Sequence, residues 1–209
     1  MKISFYFDPV CPWCWMTSRW IKQVEKERNL EVSWEPISLL LKNGAEGPYG
    51  EYYKRTAEML DVVEAVKEAG EIDKVDTLYT AFGLSVHKRR SIAADDYDAG
   101  EIITACLKEA GLDSKYASAA GQDKYRKLVE ESTNKGLEIV GDDVGTPIIS
   151  LLSAQGSEIG LFGPVISELP PTTEEAVQLW DAYITFADKP YFWELKRTRD
   201  VGANVESTF

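Results

Sequence analysis

Two cysteines near the N-terminus, Cys11 and Cys14, are separated by Pro12 and Trp13. An apolar strand is predicted to end before them, and a helix is predicted to begin at about Cys11. The free N–H groups and the dipole of a helix start favour an anion, so we expect Cys11 to be the attacking thiolate. Cys14 lies on the same helix face and can resolve a mixed disulfide formed at Cys11. The pattern predicts thiol–disulfide chemistry with Cys11 and Cys14 as catalytic residues.

Half of a zinc site is the alternative interpretation of this cysteine pair. Zinc prefers four ligands, and only Cys106 and His87 remain to complete such a set. We therefore favour redox chemistry and expect no metal. Cys106 falls in an apolar helical pattern, so it is predicted to lie in the core.

Length, composition and charge narrow the class of protein further. The chain has 209 residues, of which 44% are apolar, and a net charge of −12, so it can bury a sizeable core. That charge opposes phosphate backbones and anionic membranes, so neither is expected as a partner. The apolar N-terminal segment is too short for a signal peptide, and three cysteines are too few for a disulfide framework. These features predict a cytoplasmic protein.

The strands and helices that must position the cysteines are predicted from the periodicity of apolar residues and from the Gly and Pro residues that interrupt it. The predicted order is strand, helix, strand, several helices, two strands and a closing helix. Pro36 predicts an edge position or a bulge for the second strand, and a turn is predicted at Gln155-Gly156-Ser157. We assign residues 1–43 and 137–209 to one domain and residues 44–136 to a helical insertion.

A second motif, Gly145-Thr146-Pro147-Ile148, opens one of the late strands. With the cysteine motif it resembles the DsbA-like branch of the thioredoxin superfamily. The resemblance implies an α/β protein: a thioredoxin fold with an inserted all-helical lobe. It also implies a cis Thr146–Pro147 bond beside the cysteines, whose backbone presents hydrogen-bonding groups to the substrate.

Several segments resemble more narrowly the actinobacterial DsbA-like proteins that work with mycothiol, namely the DsbA-like mycoredoxins and the mycothiol-dependent nitroreductases. They are Phe7-Asp8-Pro9-Val10-Cys11-Pro12-Trp13-Cys14-Trp15, Thr17-Ser18-Arg19-Trp20, Leu78-Tyr79-Thr80-Ala81-Phe82-Gly83 with His87, Gly141-Asp142-Asp143-Val144-Gly145-Thr146-Pro147, and Phe192-Trp193-Glu194-Leu195-Lys196-Arg197-Thr198-Arg199. The resemblance implies a reductase with mycothiol as a redox co-substrate. The glycines form neither a G-x-G-x-x-G motif nor a phosphate-binding loop, so no bound cofactor is expected. By the same resemblance, the partners would be low-molecular-weight thiols, thiolated or disulfide substrates and, in a homodimer, a second copy.

Seven residues are candidates for substrate binding. Trp13 lies between the cysteines, Asn43 follows the second strand, and Tyr53 begins the insertion, so each can line a substrate pocket. For Tyr53 the alternative is a place in the core, and for His87 it is a structural or solvated helix end rather than the active-site cleft. The set is Pro12, Trp13, Asn43, Tyr53, His87, Thr146 and Pro147.

Two other functions remain open from the sequence. One is a thiol-dependent isomerase or transferase related to 2-hydroxychromene-2-carboxylate isomerases, although these carry serine where Cys11 stands. The other is a non-enzymatic holdase whose helical lobe binds hydrophobic clients. Near the C-terminus, Tyr191, Phe192 and Trp193 are predicted to pack down, and Lys196-Arg197-Thr198-Arg199 is predicted to form a solvated helix end.

Overall fold

A computed structural model describes residues 1–153 and 156–208. The four strands are β1 (Lys2–Phe7), β2 (Glu31–Pro36), β3 (Ile148–Leu152) and β4 (Glu158–Phe162). The α-helices are α1 (Pro12–Val24), α2 (Leu39–Asn43), α3 (Gly50–Glu68), α4 (Val75–Gly83), α5 (Ala99–Glu109), α6 (Asp123–Val140) and α7 (Thr173–Ala187). Short 3-10 segments occur at Ile72–Lys74, Ser91–Ala93, Ser114–Ala119 and Val205–Ser207, and a π-helical turn follows α4 at Leu84–Lys88. The predicted α/β thioredoxin fold of DsbA-like type is confirmed.

The strands form one sheet in the order β2-β1-β3-β4. β1 pairs antiparallel with β3, where Phe5 lies opposite Ile149, and β3 pairs antiparallel with β4. β2 lies at the edge, which is one of the two arrangements predicted from Pro36, because proline cannot donate to a further strand. Of the turn predicted at Gln155-Gly156-Ser157, Gln155 lies outside the described residues, and the N–H of Gly156 donates to the carbonyl of Ser153 at 2.9 Å.

Helix α1 begins where local chemistry predicts. Cys11 is its N-cap, with an extended backbone and a side chain that accepts a bond from the N–H of Cys14. Pro12 occupies the first helical turn, where the missing N–H has no intrahelical partner to lose. The helix ends at Val24, directly before the charged stretch that ends near Asn29.

Residues 50–136 contain helices and no strand, as predicted. The stripe of α3 is buried at Leu60, Val63 and Val66, and Cys106 of α5 is also buried. The core position predicted for Cys106 is therefore confirmed.

The C-terminal half of α6 lies very close to the sheet at Gly136. A Cβ atom there would come 2.9 Å from Cδ1 of Tyr6 in β1. Only glycine permits this approach, because it has no Cβ atom. With any other residue at this position, either the helix or the Tyr6 ring would have to move.

Helix α7 closes the fold and begins at the predicted cap, where Thr172 accepts the N–H of Glu175. The spacing of apolar residues in the sequence predicts a buried stripe of Val177, Trp180, Ile184 and Ala187. The buried residues are instead Ala176, Trp180, Tyr183 and Ala187. Trp20 of α1 donates its ring N–H to the carbonyl of Ala176 at 3.0 Å.

The segment after α7 differs from the prediction in two ways. Tyr191 and Trp193 are 78% and 84% exposed, so they do not pack down, whereas Phe192 stacks on Phe186 at 4.8 Å between ring centroids. The stretch from Lys196 to Arg199 is not helical, so it is no helix end. Three consecutive aromatic residues show neither helical nor strand periodicity, so the sequence does not indicate which of them is buried.

The chain folds into two compact units. One comprises Met1–Tyr6, Cys11–Glu35 and Gly136–Phe209, and the other comprises Phe7–Val10 and Pro36–Lys135. The division predicted from the sequence, with an insertion at 44–136, stays a prediction. No helix in residues 1–153 and 156–208 is both long and apolar enough to cross a bilayer.

Candidate active site

The sulfur of Cys11 lies at the start of α1 within a small set of polar contacts. It accepts the backbone N–H of Cys14 at 3.4 Å and the hydroxyl of Thr146 at 3.2 Å. The thiol of Cys11 also points at the carbonyl of Thr146, at 3.8 Å. Cys11 is 6% exposed. Two donors therefore face one partly desolvated sulfur, an arrangement that stabilises negative charge on it.

The Thr146–Pro147 peptide bond is cis, as the resemblance predicts. Thr146 precedes β3, which begins at Ile148 rather than at the predicted Thr146. Because its hydroxyl and carbonyl both face Cys11, the predicted placement of this bond beside the cysteine motif is also confirmed. A second cis bond, Gly163–Pro164, was not predicted; the carbonyl of Pro164 accepts the Thr17 hydroxyl at 2.7 Å.

Cys14 is fully buried behind Cys11. Its thiol lies 4.0 Å from the carbonyl of Tyr6 in β1. The next residue, Trp15, is also buried, and its ring N–H donates to the hydroxyl of Thr208 at 3.0 Å. The C-terminal segment thus returns to the helix that carries both thiols.

Trp13 lies between the two cysteines and is only half-buried. The guanidinium of Arg199 lies over its ring, 4.7 Å from the centroid. Sequence reasoning treated the cluster around Arg199 as solvated and missed this contact. The sequence feature that could have indicated this contact was the presence of a basic cluster on a strongly acidic protein.

Asp8, which directly follows β1, is a buried carboxyl for which the sequence predicts no role in the site. It accepts the N–H groups of Val10 at 3.0 Å and Leu39 at 2.8 Å. Burial raises the pKa of Asp8 to about 6, against the opposing effect of those bonds and of the Thr56 hydroxyl. The loop that leads to the cysteine motif is therefore held by a buried acid.

The other predicted binding residues lie in the second unit. The side-chain amide of Asn43 donates to the hydroxyl of Tyr53 at 3.3 Å, so these two candidates are brought together. Burial lowers the pKa of His87 to about 4, while a bond to the backbone of Pro9 opposes the shift. His87 is therefore neutral at about pH 7, and its predicted role in substrate binding stays a prediction.

Cys106 differs sharply from the motif cysteines in its surroundings. Its thiol donates to the carbonyl of Ala81 at 3.6 Å, and burial raises its pKa to about 11. A thiol of that kind is unreactive near neutral pH. Among the described residues, no three His, Cys, Asp or Glu side chains group as metal ligands.

Comparison with protein families gives a match over residues 10–197 to the Rv2466c-like family, described as mycothiol-dependent nitroreductase Rv2466c. The chain belongs to this family. Membership confirms the predicted resemblance to the DsbA-like, mycothiol-dependent branch and makes the protein an oxidoreductase. The matched range includes Cys11, Cys14, Thr146 and Pro147, but it assigns no role to any of them.

Relatives and structural neighbours of this Rv2466c-like protein agree with its architecture. An uncharacterized protein of Mycobacterium tuberculosis, Rv2286c, is 25% identical over 207 residues, which cover 98% of this chain and 84% of the relative. A probable DsbA oxidoreductase from Streptomyces coelicolor has a TM-score of 0.58 at 15% identity, covering 96% of this chain and 94% of the other. The cytosolic disulfide reductase DsbM from Pseudomonas aeruginosa has a TM-score of 0.56 at 15% identity, covering 90% of this chain and 100% of the other. At these identities the two solved structures show the shared fold.

Proposed function

We propose that this Rv2466c-like protein is a thiol–disulfide reductase in which Cys11 is the nucleophile and Cys14 the resolving cysteine. The observation that carries the proposal is the pair of donors, the Cys14 N–H and the Thr146 hydroxyl, directed at the Cys11 sulfur. Hydrogen bonds to a charged acceptor are stronger than bonds to a neutral one, so they favour the thiolate over the thiol. The thiolate is the species that attacks a disulfide.

The reaction follows from exchange between sulfur atoms. The Cys11 thiolate attacks one sulfur of the substrate disulfide, forms a mixed disulfide and releases the first substrate thiolate. The Cys14 sulfur, as a thiolate, then attacks Cys11, releases the second substrate thiolate and leaves a Cys11–Cys14 disulfide. The substrate gains two electrons and the protein loses two.

Mycothiol is proposed as the co-substrate that returns the protein to its reduced form. Two mycothiol molecules supply the two electrons and leave as mycothiol disulfide. Alternatively, mycothiol itself attacks the mixed disulfide at Cys11, and Cys14 is then not oxidised. The family description, mycothiol-dependent, supports this partner.

The substrates we propose are mycothiol mixed disulfides, protein disulfides or a small electrophile such as a nitro compound. Extended disulfide substrates would bind the backbone polar groups of Thr146 and Pro147. For Pro12, Trp13, Asn43, Tyr53 and His87, substrate binding is proposed from the family resemblance. A cytoplasmic location and a homodimer stay predictions.

Because family membership makes the protein an oxidoreductase, neither the isomerase nor the holdase alternative is proposed. The experiment is turnover of a mycothiolated peptide by the full chain, two active-site variants and one control variant. Cys11→Ser is expected to abolish turnover. Cys14→Ser is expected to trap a Cys11 mixed disulfide or to keep partial activity when mycothiol is supplied. Cys106→Ser is the matched control and should keep wild-type turnover, since that thiol is buried and directed at Ala81.

Two further readouts decide the partner and the direction. Glutathione should replace mycothiol poorly, because polar groups arranged for a different thiol are left unpaired; equal rates would remove mycothiol from the proposal. The reduction potential should lie nearer to about −270 mV, as in thioredoxin, than to about −120 mV, as in DsbA. A value near the second figure would reverse the proposed direction of electron flow.

A further inference from the structure

The peptide group between Pro9 and Val10, which ends one residue before Cys11, is hydrogen-bonded at both of its polar atoms. Its N–H, on Val10, donates to Oδ1 of Asp8 at 3.0 Å. Its carbonyl, on Pro9, accepts a bond from His87, because proline has no backbone N–H that could take part instead. The peptide is trans, so its N–H and its C=O point in opposite directions. Asp8 and His87 therefore hold the same peptide group from opposite sides.

Asp8 is fixed on the N–H side of this peptide. Its Oδ2 atom accepts the N–H of Leu39 at 2.8 Å, and the hydroxyl of Thr56 also bonds the carboxyl group. Asp8 is 2% exposed, and Thr56 is fully buried. A rotation of the carboxyl group away from Val10 would leave buried donors without an acceptor, which is costly. The N–H side of the peptide is therefore held in one orientation.

His87 reaches the other side of the peptide from the π-helical turn Leu84–Lys88. In this turn the N–H of Arg89 donates to the carbonyl of Leu84, five positions earlier, at 3.0 Å. The wider turn directs its side chains differently from a continuous α-helix, and such turns occur frequently at functional sites. His87 is neutral at about pH 7, and a neutral imidazole has a single N–H. The carbonyl of Pro9 therefore takes the one donor that His87 has.

The position of Cys11 depends on this peptide, because only the two backbone torsions of Val10 separate them. Cys11 is the N-cap of α1, and its sulfur accepts the N–H of Cys14 at 3.4 Å and the hydroxyl of Thr146 at 3.2 Å. Hydrogen bonds weaken steeply as their distance and angle depart from the optimum. A rotation of the peptide group would therefore move the sulfur relative to the two donors that stabilise its negative charge.

We infer that Asp8 and His87 are positioning residues for the sulfur of Cys11. They act through the peptide group that they share, and neither forms or breaks a bond in the exchange reaction. The inference rests on the proposed function, in which Cys11 is the nucleophile. It differs from the substrate binding proposed for His87, because positioning affects the reaction of Cys11 with any electrophile, including one too small to fill a binding site.

The experiment measures the alkylation of Cys11 by iodoacetamide, a small uncharged electrophile, as a function of pH. All proteins are full-length and also carry Cys14→Ser, which keeps the backbone N–H at that position and leaves Cys11 and Cys106 as the only thiols. The rate at each thiol is followed by peptide mass spectrometry. Labelling of Cys106 reports folding, because this thiol is buried and reacts rapidly only when the chain unfolds.

His87→Phe keeps an aromatic ring but removes the donor to Pro9. Below the midpoint of the pH profile we expect the rate at Cys11 to fall about threefold, which corresponds to a rise of about 0.5 pH unit in the midpoint. His87→Gln keeps an N–H donor and should recover part of this shift. Ser85→Ala is the matched control, because it removes a hydroxyl of the same π-helical turn that bonds Ser91 at 2.8 Å. Its midpoint should stay within about 0.1 pH unit of the parent protein.

A double-mutant cycle tests whether Asp8 and His87 act on one peptide group. Asp8→Asn replaces a carboxylate oxygen with an amide nitrogen, which cannot accept an N–H. In that background the peptide is already less firmly held, so His87→Phe should shift the midpoint by less than half as much. The cycle cancels the effect of removing the Asp8 charge, since the charge is absent from both members of that pair.

The outcomes separate this inference from the proposed function. An unchanged midpoint in His87→Phe, an equal shift in Ser85→Ala, or the same His87→Phe shift in both backgrounds refutes the positioning role and leaves the thiol chemistry intact. If Cys11 of the parent protein is labelled no faster than Cys106, the proposed function fails instead. If Cys106 labelling shows that His87→Phe does not fold, His87→Leu, which also lacks a donor and is smaller, is judged by the same criteria.

Discussion

The hydroxyl of Thr146 is a contact to the Cys11 sulfur that a single isosteric substitution removes. Thr146→Val replaces the hydroxyl with a methyl group, so the 3.2 Å bond is lost while the Cys14 N–H remains at 3.4 Å. The lost bond stabilises the reduced thiolate and has a weaker counterpart in the disulfide form. The variant should therefore have a more negative reduction potential than the wild type.

The size of the shift follows from burial and from the charge on the acceptor. Cys11 and Thr146 are each 6% exposed, so water cannot readily replace the missing donor. A hydrogen bond to a charged group contributes about 1.5–3 kcal/mol, and for a two-electron couple about 1.4 kcal/mol corresponds to about 30 mV. We expect a shift of roughly 30–60 mV at a pH where the reduced Cys11 is a thiolate.

The potential is measured by equilibrating each variant in dithiol redox buffers and counting free thiols by alkylation and mass. Thr17→Val is the matched control, because it deletes a buried hydroxyl of α1 that bonds Pro164 instead of sulfur. Thr17→Val should lower the free energy of unfolding and leave the reduction potential unchanged. Thr146→Ser, which retains the hydroxyl, should keep the wild-type reduction potential. A shift below about 10 mV in Thr146→Val, or an equal shift in Thr17→Val, would contradict the assignment of thiolate stabilisation to Thr146.

Three further predictions concern buried groups. Because the pKa of Cys106 is raised to about 11, iodoacetamide at about pH 8 should label it at least about tenfold more slowly in the folded protein than in urea, as measured by peptide mass spectrometry. Because the pKa of Asp8 is raised to about 6, the folded state retains a proton that the unfolded chain loses near pH 4, so the free energy of unfolding falls as pH rises from about 4 to about 6. Urea titrations should show that Asp8→Asn removes this fall, on the order of 3 kcal/mol; an unchanged pH profile would refute the assignment. Gly136→Ala places a Cβ 2.9 Å from Tyr6 and should lower the free energy of unfolding by about 1–2 kcal/mol, whereas Gly47→Ala, with nothing within 4 Å, should not.

Features governed by short-range chemistry were predictable from the sequence alone. The start of α1 at the cysteine motif depends on a capping residue and on proline in the first turn, both read directly from Cys11 and Pro12. The missing N–H of Pro36 predicts an edge position or a bulge for β2, and β2 lies at the edge. The burial of Cys106 follows from its place in an apolar helical stripe. Each was inferred from residues within a few positions of one another, because a capping residue, a missing N–H and an apolar helical stripe are local features of the sequence.

Contacts between distant residues were decided by the tertiary structure. Thr146 bonds Cys11 across 135 positions, and its cis bond was predicted only through the family resemblance, since cis is a minority state of X–Pro bonds. The contact of Arg199 with Trp13 was missed, and the exposure of Trp193 was predicted wrongly. The physical reason is the same in each case: the partner of each side chain lies far away in the sequence, and outside a periodic helix or strand no local pattern records which distant surface the folded chain brings beside it.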